Sequence, residues 1–143
     1  MNKILIFCFM VILVGIGCKK ENLKDTDLLN TKWTLSYIQD TKTNAITHYP
    51  NDATNKISIV FNDTLDIISF CGICNGGAGT FTYSSISGEI KVTDLNTTLI
   101  GCKYVEWETY TVQNLYYASS YKITAGNLAI YSTGAYNLYF TKN

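Results

Sequence analysis

The sequence FCGICNGGAGTF, at residues 70–81, lies between two runs of strand-forming residues, 57–70 and 81–95. It contains two cysteines and four glycines, and glycine reaches positive φ angles without the steric penalty that a Cβ carries. A glycine cluster between two apolar runs predicts a wide hairpin with a bulge or a close approach of two backbones. We therefore expect the fold to be organised around this hairpin.

Composition limits the classes of function. The chain has 143 residues, with 11 Lys, no Arg and 11 acidic residues, so its formal net charge is zero. This length is enough for about one domain. Nucleic-acid binding favours a basic excess and arginine forks, and the sequence has neither, so we expect no nucleic-acid partner.

The first 17 residues have the pattern of a signal peptide. Lys3 supplies the positive charge, residues 4–16 are uncharged and apolar, and Gly17-Cys18 is followed at once by two lysines. This junction resembles a bacterial lipoprotein signal, which implies cleavage before Cys18, a palmitate-bearing lipid on that cysteine and a tether over residues 18–27. The alternative is an ordinary secretory signal with a chance cysteine. Lys19 in place of Asp favours the outer membrane, with the periplasmic or surface face left open.

Alternation of apolar and polar residues predicts strands over most of the remaining chain. In residues 31–39 it places Trp33, Leu35 and Tyr37 on one face, and residues 40–55 are expected to form a long loop. The other predicted strands are 56–61, 65–70, 81–83, 90–95, 121–124, 128–132 and 136–140. Their apolar faces should bury Ile59, Phe70 and Leu138 together with Trp33.

One helix is predicted, over residues 103–118. Its apolar stripe would be Val105, Val112, Leu115 and Tyr116. The β-branched residues in this segment also fit a strand. Short strands of this spacing with one helix predict a mainly β (α+β) domain, a small antiparallel, strongly coiled sheet or partly open barrel.

Several residues of the central stretch and its surroundings resemble the META domain family, the HslJ-like bacterial heat-shock proteins. They are Cys74, Asn75, Gly79, Thr80, Phe81, Thr98 and Cys102. The resemblance covers about residues 28–141, nearly all of the predicted META-like β domain at residues 28–143. It implies a helix at 103–118, a cell-envelope location, and a role in stress response or protein interaction without an established chemistry.

The cysteines offer a structural and a chemical interpretation. Cys71, Cys74 and Cys102 follow the signal region, and the resemblance implies a disulfide between Cys74 and Cys102. Alternation places Cys71 and Cys74 on opposite faces, so only one of them should meet Cys102 unless a bulge at Gly72 intervenes, and Cys71 is the alternative partner. Cys71-Gly72-Ile73-Cys74 is also a CxxC, but redox catalysis needs a helix that begins at the first cysteine, and none is predicted there.

Metal and catalytic sites are not indicated by the remaining residues. A zinc site from the three cysteines and His48 would lack a second ligand pair, and no nucleophile motif accompanies His48. We therefore expect no metal, no cofactor and no enzyme activity.

Two function classes remain. The first is a non-catalytic envelope lipoprotein that contacts the membrane through its lipid and binds an unknown envelope protein or ligand. The second is a β-barrel module for a small ligand or glycan, suggested by the 11 tyrosines. A large enclosed aromatic pocket would favour the second class, and a filled core the first.

The signal junction gives a direct test. Intact mass of detergent-extracted protein should show a chain that begins at an acylated Cys18, because lipidation follows cleavage before that residue. The Cys18→Ser variant should lose the acyl mass. An unmodified N-terminus in the wild-type chain, or retention of residues 1–17, would rule out the lipoprotein assignment.

Overall fold

One antiparallel sheet dominates the computed structural model, which describes residues 25–143. The signal peptide, Cys18 and the tether up to residue 24 lie outside the described residues. The domain is mainly β with one helix, as the alternation predicted. Its elements are β1 (Lys32–Asp40), β2 (Ile46–His48), β3 (Ser58–Asn62), β4 (Ile67–Cys71), β5 (Gly76–Tyr83), β6 (Ile90–Thr97), α1 (Val105–Tyr116), β7 (Ala118–Thr124), β8 (Asn127–Ser132) and β9 (Tyr136–Lys142).

The sheet curls until its two ends meet. Its strand order is β6-β5-β4-β3-β1-β9-β8-β7, with β2 paired to β1 beside this path. The end strands β6 and β7 meet at the bridge between Glu89 and Ser120, where the Tyr121 N–H donates to the Gly88 carbonyl at 2.7 Å. Beyond this bridge the two strands diverge, so the sheet is a partly open barrel.

Large apolar side chains fill the interior of the barrel. Trp33, Ile59, Phe70 and Leu138 are buried in one cluster, as their positions in the alternating runs predicted. The largest side chains that are almost completely buried are Trp33, Phe61, Phe81 and Phe140. The Trp33 indole N–H donates to the Leu28 carbonyl at 3.1 Å, so its polar atom is satisfied inside the core.

The prediction that Tyr37 shares the face of Trp33 and Leu35 was wrong, because β1 contains a bulge before Tyr37. Its pairing with β9 shifts between Leu35 and Tyr37, so that Ile38 instead of Tyr37 continues the core face. Tyr37 is half-buried on the outer face, where it stacks on Tyr139 with ring centroids 4.4 Å apart. An extra residue in one strand reverses the side-chain alternation beyond it, which the sequence pattern did not show.

Two further expectations about bounds were wrong. Residues 40–55 are not entirely loop, because β2 pairs with β1 through Tyr37 and His48, and its side chains are exposed. The glycines of the central stretch do not all lie in the turn, because β5 begins at Gly76. Gly79 lies opposite a bulge in β6, where an added Cβ would be 2.6 Å from the Leu95 Cα. The close backbone approach predicted for the glycine cluster is therefore confirmed at Gly79.

The helix forms within the predicted segment but buries a different face. Val112 is only partly buried and Tyr116 is exposed, so the predicted stripe is wrong apart from Leu115. The residues of α1 that are buried are Trp107, Glu108, Thr111, Asn114 and Leu115. Three of these are polar, and their hydrogen bonds compensate for burial, so a search for an apolar stripe could not find this face.

The two ends of the barrel differ. One end carries the β3–β4 and β5–β6 turns, and the chain enters the domain there. Asp25 accepts a hydrogen bond from the Tyr121 hydroxyl at 2.8 Å, and the Asn30 N–H donates to the Phe61 carbonyl. The opposite end carries the β4–β5 turn and the segment between β6 and α1.

Truncation of the core anchor tests this architecture. Trp33→Ala should lower the free energy of unfolding by about 3–5 kcal/mol, because it leaves a large cavity between β1 and β3. Urea denaturation measures this loss. Leu65→Ala, at a position that is 68% exposed, should cost about 0.5 kcal/mol or less. A loss below about 1 kcal/mol for Trp33→Ala would mean that the indole does not anchor the core.

Candidate interaction site

The central cysteines lie in and beside the β4–β5 turn, residues 72–75. Cys74 forms a disulfide with Cys102, and their Cα atoms are 6.4 Å apart. This is the pairing that the resemblance implied. Cys71 ends β4 on its outer face and is a free, exposed cysteine, so it is not the partner of Cys102. Its orientation follows from the alternation of β4, in which Ile68 and Phe70 point inwards.

A buried carboxylate holds this turn against the helix. Glu108 of α1 is only 4% exposed. Its Oε1 accepts the backbone N–H of Cys74 at 2.7 Å and of Asn75 at 3.1 Å, and its Oε2 accepts the Asn75 side-chain amide at 2.5 Å. Three N–H donors therefore offset the cost of burying the carboxylate.

Gly72 allows the carboxylate to approach. A Cβ at this position would overlap with Glu108 Oε1 and would lie 2.8 Å from the Asn75 carbonyl. The Gly72 N–H also donates to that carbonyl at 2.7 Å, which closes the turn. The second residue of the CxxC must therefore be glycine, because no larger residue fits beside the carboxylate.

Asn75 connects the turn to the segment after β6, residues 98–104, which we call the β6–α1 loop. Its Oδ1 accepts the Ile100 N–H at 2.7 Å and the Thr98 hydroxyl at 2.9 Å, and its Nδ2 donates to the Ile100 carbonyl at 2.9 Å. The side chain thereby pairs with both backbone groups of Ile100. Asn75 is buried, and its amide is fully used.

A third set of contacts holds the far end of the β6–α1 loop. The Tyr104 hydroxyl donates to the Asp52 carboxylate at 2.6 Å, and the Lys103 ammonium lies 3.0 Å from the same group. The Tyr104 hydrogen bond, with a further contribution from Lys103, holds the pKa of Asp52 below its usual range. The Cys74–Cys102 disulfide and these contacts hold the far end of the loop, and the Asn75 contacts with Thr98 and Ile100 hold the near end.

The braced loop presents apolar side chains to water. Leu99 is 95% exposed and Ile100 is 58% exposed. Beside them lies a groove of about 430 Å³ between β6 and α1. Its apolar lining comes from Phe70, Leu99, Ile100, Val105 and Val112. Loop segments that carry exposed apolar side chains on a rigid support are typical of binding surfaces.

The structure brings together only part of the sequence motif. Cys74, Asn75, Thr98 and Cys102 converge at this site. Gly79 and Phe81 do not belong to it. Gly79 lies on β5 opposite a bulge in β6, and Phe81 is buried in the core, where its ring packs against Phe61 with centroids 4.9 Å apart.

The sequence analysis did not identify Glu108 as a residue of this site. The sequence does carry a signal, because Glu108 shares a helix face with Thr111 and Leu115 at i+3 and i+7. A carboxylate on a buried face needs a compensating partner. Nothing in the local sequence identifies that partner, which is 33 or 34 residues away.

Potential metal ligands among residues 25–143 also cluster here. The sulfur atoms of Cys74 and Cys102 and a carboxylate oxygen of Glu108 lie within 4.8 Å of one another. The disulfide removes both thiolates, which are the form that binds metal, and the carboxylate already accepts three N–H groups. His48 is not part of this group. It lies on β2 beside Tyr37, with ring centroids 5.7 Å apart.

Comparisons with known proteins show a fold class. No family model and no curated protein matches the chain. A solved protein from Burkholderia xenovorans is similar, at 17% identity and a TM-score of 0.67, over 81% of this chain and 83% of that one. A DUF4847 family protein from Bacteroides vulgatus has 12% identity and a TM-score of 0.63, over 81% and 94%. A third solved protein has 19% identity and a TM-score of 0.59, over 83% and 95%.

The fold and the site therefore define a small, partly open β-barrel with one helix and a disulfide-braced loop. At these identities the likeness extends to the fold alone. Within residues 25–143, the one helix is too short and too polar to span a bilayer.

Serine substitutions test the contribution of the disulfide. The double variant Cys74→Ser/Cys102→Ser should lose about 3–4 kcal/mol of stability in urea denaturation, because the unfolded chain regains the entropy of a loop of 28 residues. Cys71→Ser should change stability by about 0.5 kcal/mol or less, since that thiol is exposed. Equal effects of the two changes would refute the pairing.

Proposed function

We propose that this protein is a non-catalytic, lipid-anchored component of the cell envelope, and that its β6–α1 loop is a protein-interaction surface. The observation that carries the proposal is Leu99, an almost fully exposed leucine on a loop held by a disulfide and by the Asn75 side chain. Side chains that are ordered before binding lose less entropy on association, so a braced apolar loop binds a partner more tightly than a mobile one.

The buried carboxylate supports a structural role in preference to a catalytic one. A general base must accept a proton from a substrate and needs a free lone pair directed at it. Both oxygens of Glu108 are occupied by N–H donors of Cys74 and Asn75. The carboxylate therefore serves to shape the loop that a partner would meet.

The filled interior supports the interaction class over a ligand-carrying barrel. Trp33, Phe61, Phe81 and Phe140 occupy the space that an enclosed ligand would need. A small ligand or glycan would have to bind at the surface of the barrel. A cleft of about 540 Å³ between β6 and β7, beside their bridge at Glu89 and Ser120, favours this second candidate function.

The orientation of the domain is consistent with a lipid anchor. The chain enters at the end of the barrel that carries the β3–β4 turn, and the braced loop lies at the opposite end. An anchor on Cys18 would therefore hold the entry end near the membrane and direct Leu99 away from it. A role in stress response or in a larger envelope assembly is compatible with such a surface.

Site-specific photo-crosslinking in the native envelope tests the proposal. A photoreactive residue at position 99 should give a discrete adduct with one envelope protein, because this side chain projects fully into solvent. The matched control is the same residue at position 65, an exposed leucine at the opposite end of the barrel.

A measurement of binding affinity then distinguishes a specific interface from crosslinking by random encounter. Leu99→Asp should weaken binding of the crosslinked protein about tenfold or more, because a charge would be buried at the contact. Leu65→Asp should leave it within about twofold. Equal adducts at both positions, or an unchanged affinity for Leu99→Asp, would contradict the proposal.

A further inference from the structure

A second surface feature lies on the other side of β6, where the barrel fails to close. Past the bridge between Glu89 and Ser120, strands β6 and β7 diverge, and the last turn of α1 lies beside the gap. The result is a cleft of about 540 Å³, which we call the seam cleft. Its lining is Thr82, Tyr83, Ser84, Glu89, Ile90, Lys91, Tyr116, Tyr117, Ala118, Ser119 and Thr133.

Three tyrosines supply the aromatic surface of the seam cleft. The Tyr116 hydroxyl donates to the Leu95 carbonyl of β6 at 2.6 Å, which fixes its ring across the gap. Tyr83 stacks on Phe81, with ring centroids 5.9 Å apart, so the core holds it in place. Tyr117, at the end of the helix, is 57% exposed. Two of the three rings are therefore positioned before any ligand arrives, and the third is open to it.

The polar groups of the cleft include both donors and acceptors. Glu89 and Lys91 are exposed residues of opposite charge, so these two side chains contribute no net charge. Ser84, Ser119 and Thr133 also line the cleft. The hydroxyls of Ser119 and Thr133 donate to the Tyr131 and Tyr117 carbonyls, so toward a ligand they act as acceptors. A ligand with many hydroxyl groups satisfies such a mixture, because each hydroxyl both donates and accepts.

These features distinguish between classes of ligand. An apolar ligand would strip water from Glu89 and Lys91 without replacing their hydrogen bonds, and a phosphate would meet the Glu89 carboxylate. A sugar ring has a face of C–H groups that packs on an aromatic ring and an edge of hydroxyls that pairs with polar side chains. The volume of the cleft is within the usual size range of small-ligand sites.

We propose that the seam cleft binds a neutral saccharide. Tyr117 supplies the stacking face, and Lys91 and Glu89 pair with hydroxyl groups at the edge of the ring. This site is separate from the β6–α1 loop, and its occupant is a small ligand instead of a protein.

A microarray of neutral and acidic oligosaccharides, probed with the full chain in detergent, tests the proposal. The neutral probes are cellotriose, maltotriose and chitotriose, and the acidic probe is trigalacturonate. At least one neutral probe should bind, and Tyr117→Ala should weaken that binding about tenfold or more. The matched control is Tyr131→Ala, which removes an exposed tyrosine outside the cleft and should change affinity by about twofold or less.

Three outcomes would overturn the proposal: no neutral probe binds, only the acidic probe binds, or Tyr117→Ala and Tyr131→Ala have the same effect. Circular dichroism checks that each variant is folded. Should Tyr117→Ala fail to fold, Lys91→Ala is judged by the same tenfold criterion, because its exposed side chain on β6 can be removed without disturbing the core.

Discussion

The site depends on one buried interaction, the acceptance of three N–H groups by the Glu108 carboxylate. This interaction connects α1 to the β4–β5 turn, which are separated by more than 30 residues of sequence. A carboxylate taken out of water without partners would destabilise the fold by several kcal/mol. With its donors in place, it fixes the direction of the Asn75 side chain and therefore the backbone of Ile100.

The same geometry explains why the loop can expose leucine and isoleucine. The β6–α1 loop does not fold inwards to bury these side chains, because Asn75 holds its backbone and the disulfide holds its end. Keeping an apolar side chain exposed to water by these restraints costs free energy that the folding of the domain alone does not explain. Binding of a partner would recover that cost, which is the physical basis of the proposed function.

Sequence patterns predicted the strands well where one face is buried, and failed where burial does not set the pattern. Trp33, Ile59 and Leu138 were assigned correctly because period-two alternation follows directly from a half-buried sheet. Tyr37 was assigned to the wrong face because a bulge has no clear sequence signature. Strand β2 was not predicted, because none of its side chains is buried and its sequence therefore shows no apolar alternation.

The sequence predicted only part of the candidate site. The motif resemblance indicated Cys74 and Cys102, and the structure joins them. Glu108 was not recognised, because a polar residue on a helix is normally exposed and its partners are defined only by the tertiary fold. The sequence did not predict the exposure of Leu99 either, since a leucine near the end of a strand is usually assigned to the core.

Amide hydrogen exchange at Ile100 tests most directly whether Glu108 shapes the β6–α1 loop through Asn75. In Glu108→Gln, the side-chain NH₂ would face the Asn75 amide donor, so Asn75 should turn away and release the Ile100 N–H. Exchange at Ile100 should therefore accelerate about tenfold or more, which corresponds to about 1.4 kcal/mol of lost local stability. The Phe81 N–H, bonded to the Asp66 carbonyl at the other end of the barrel, should keep its rate. An unchanged rate at Ile100, or an equal acceleration at Phe81, would contradict the account.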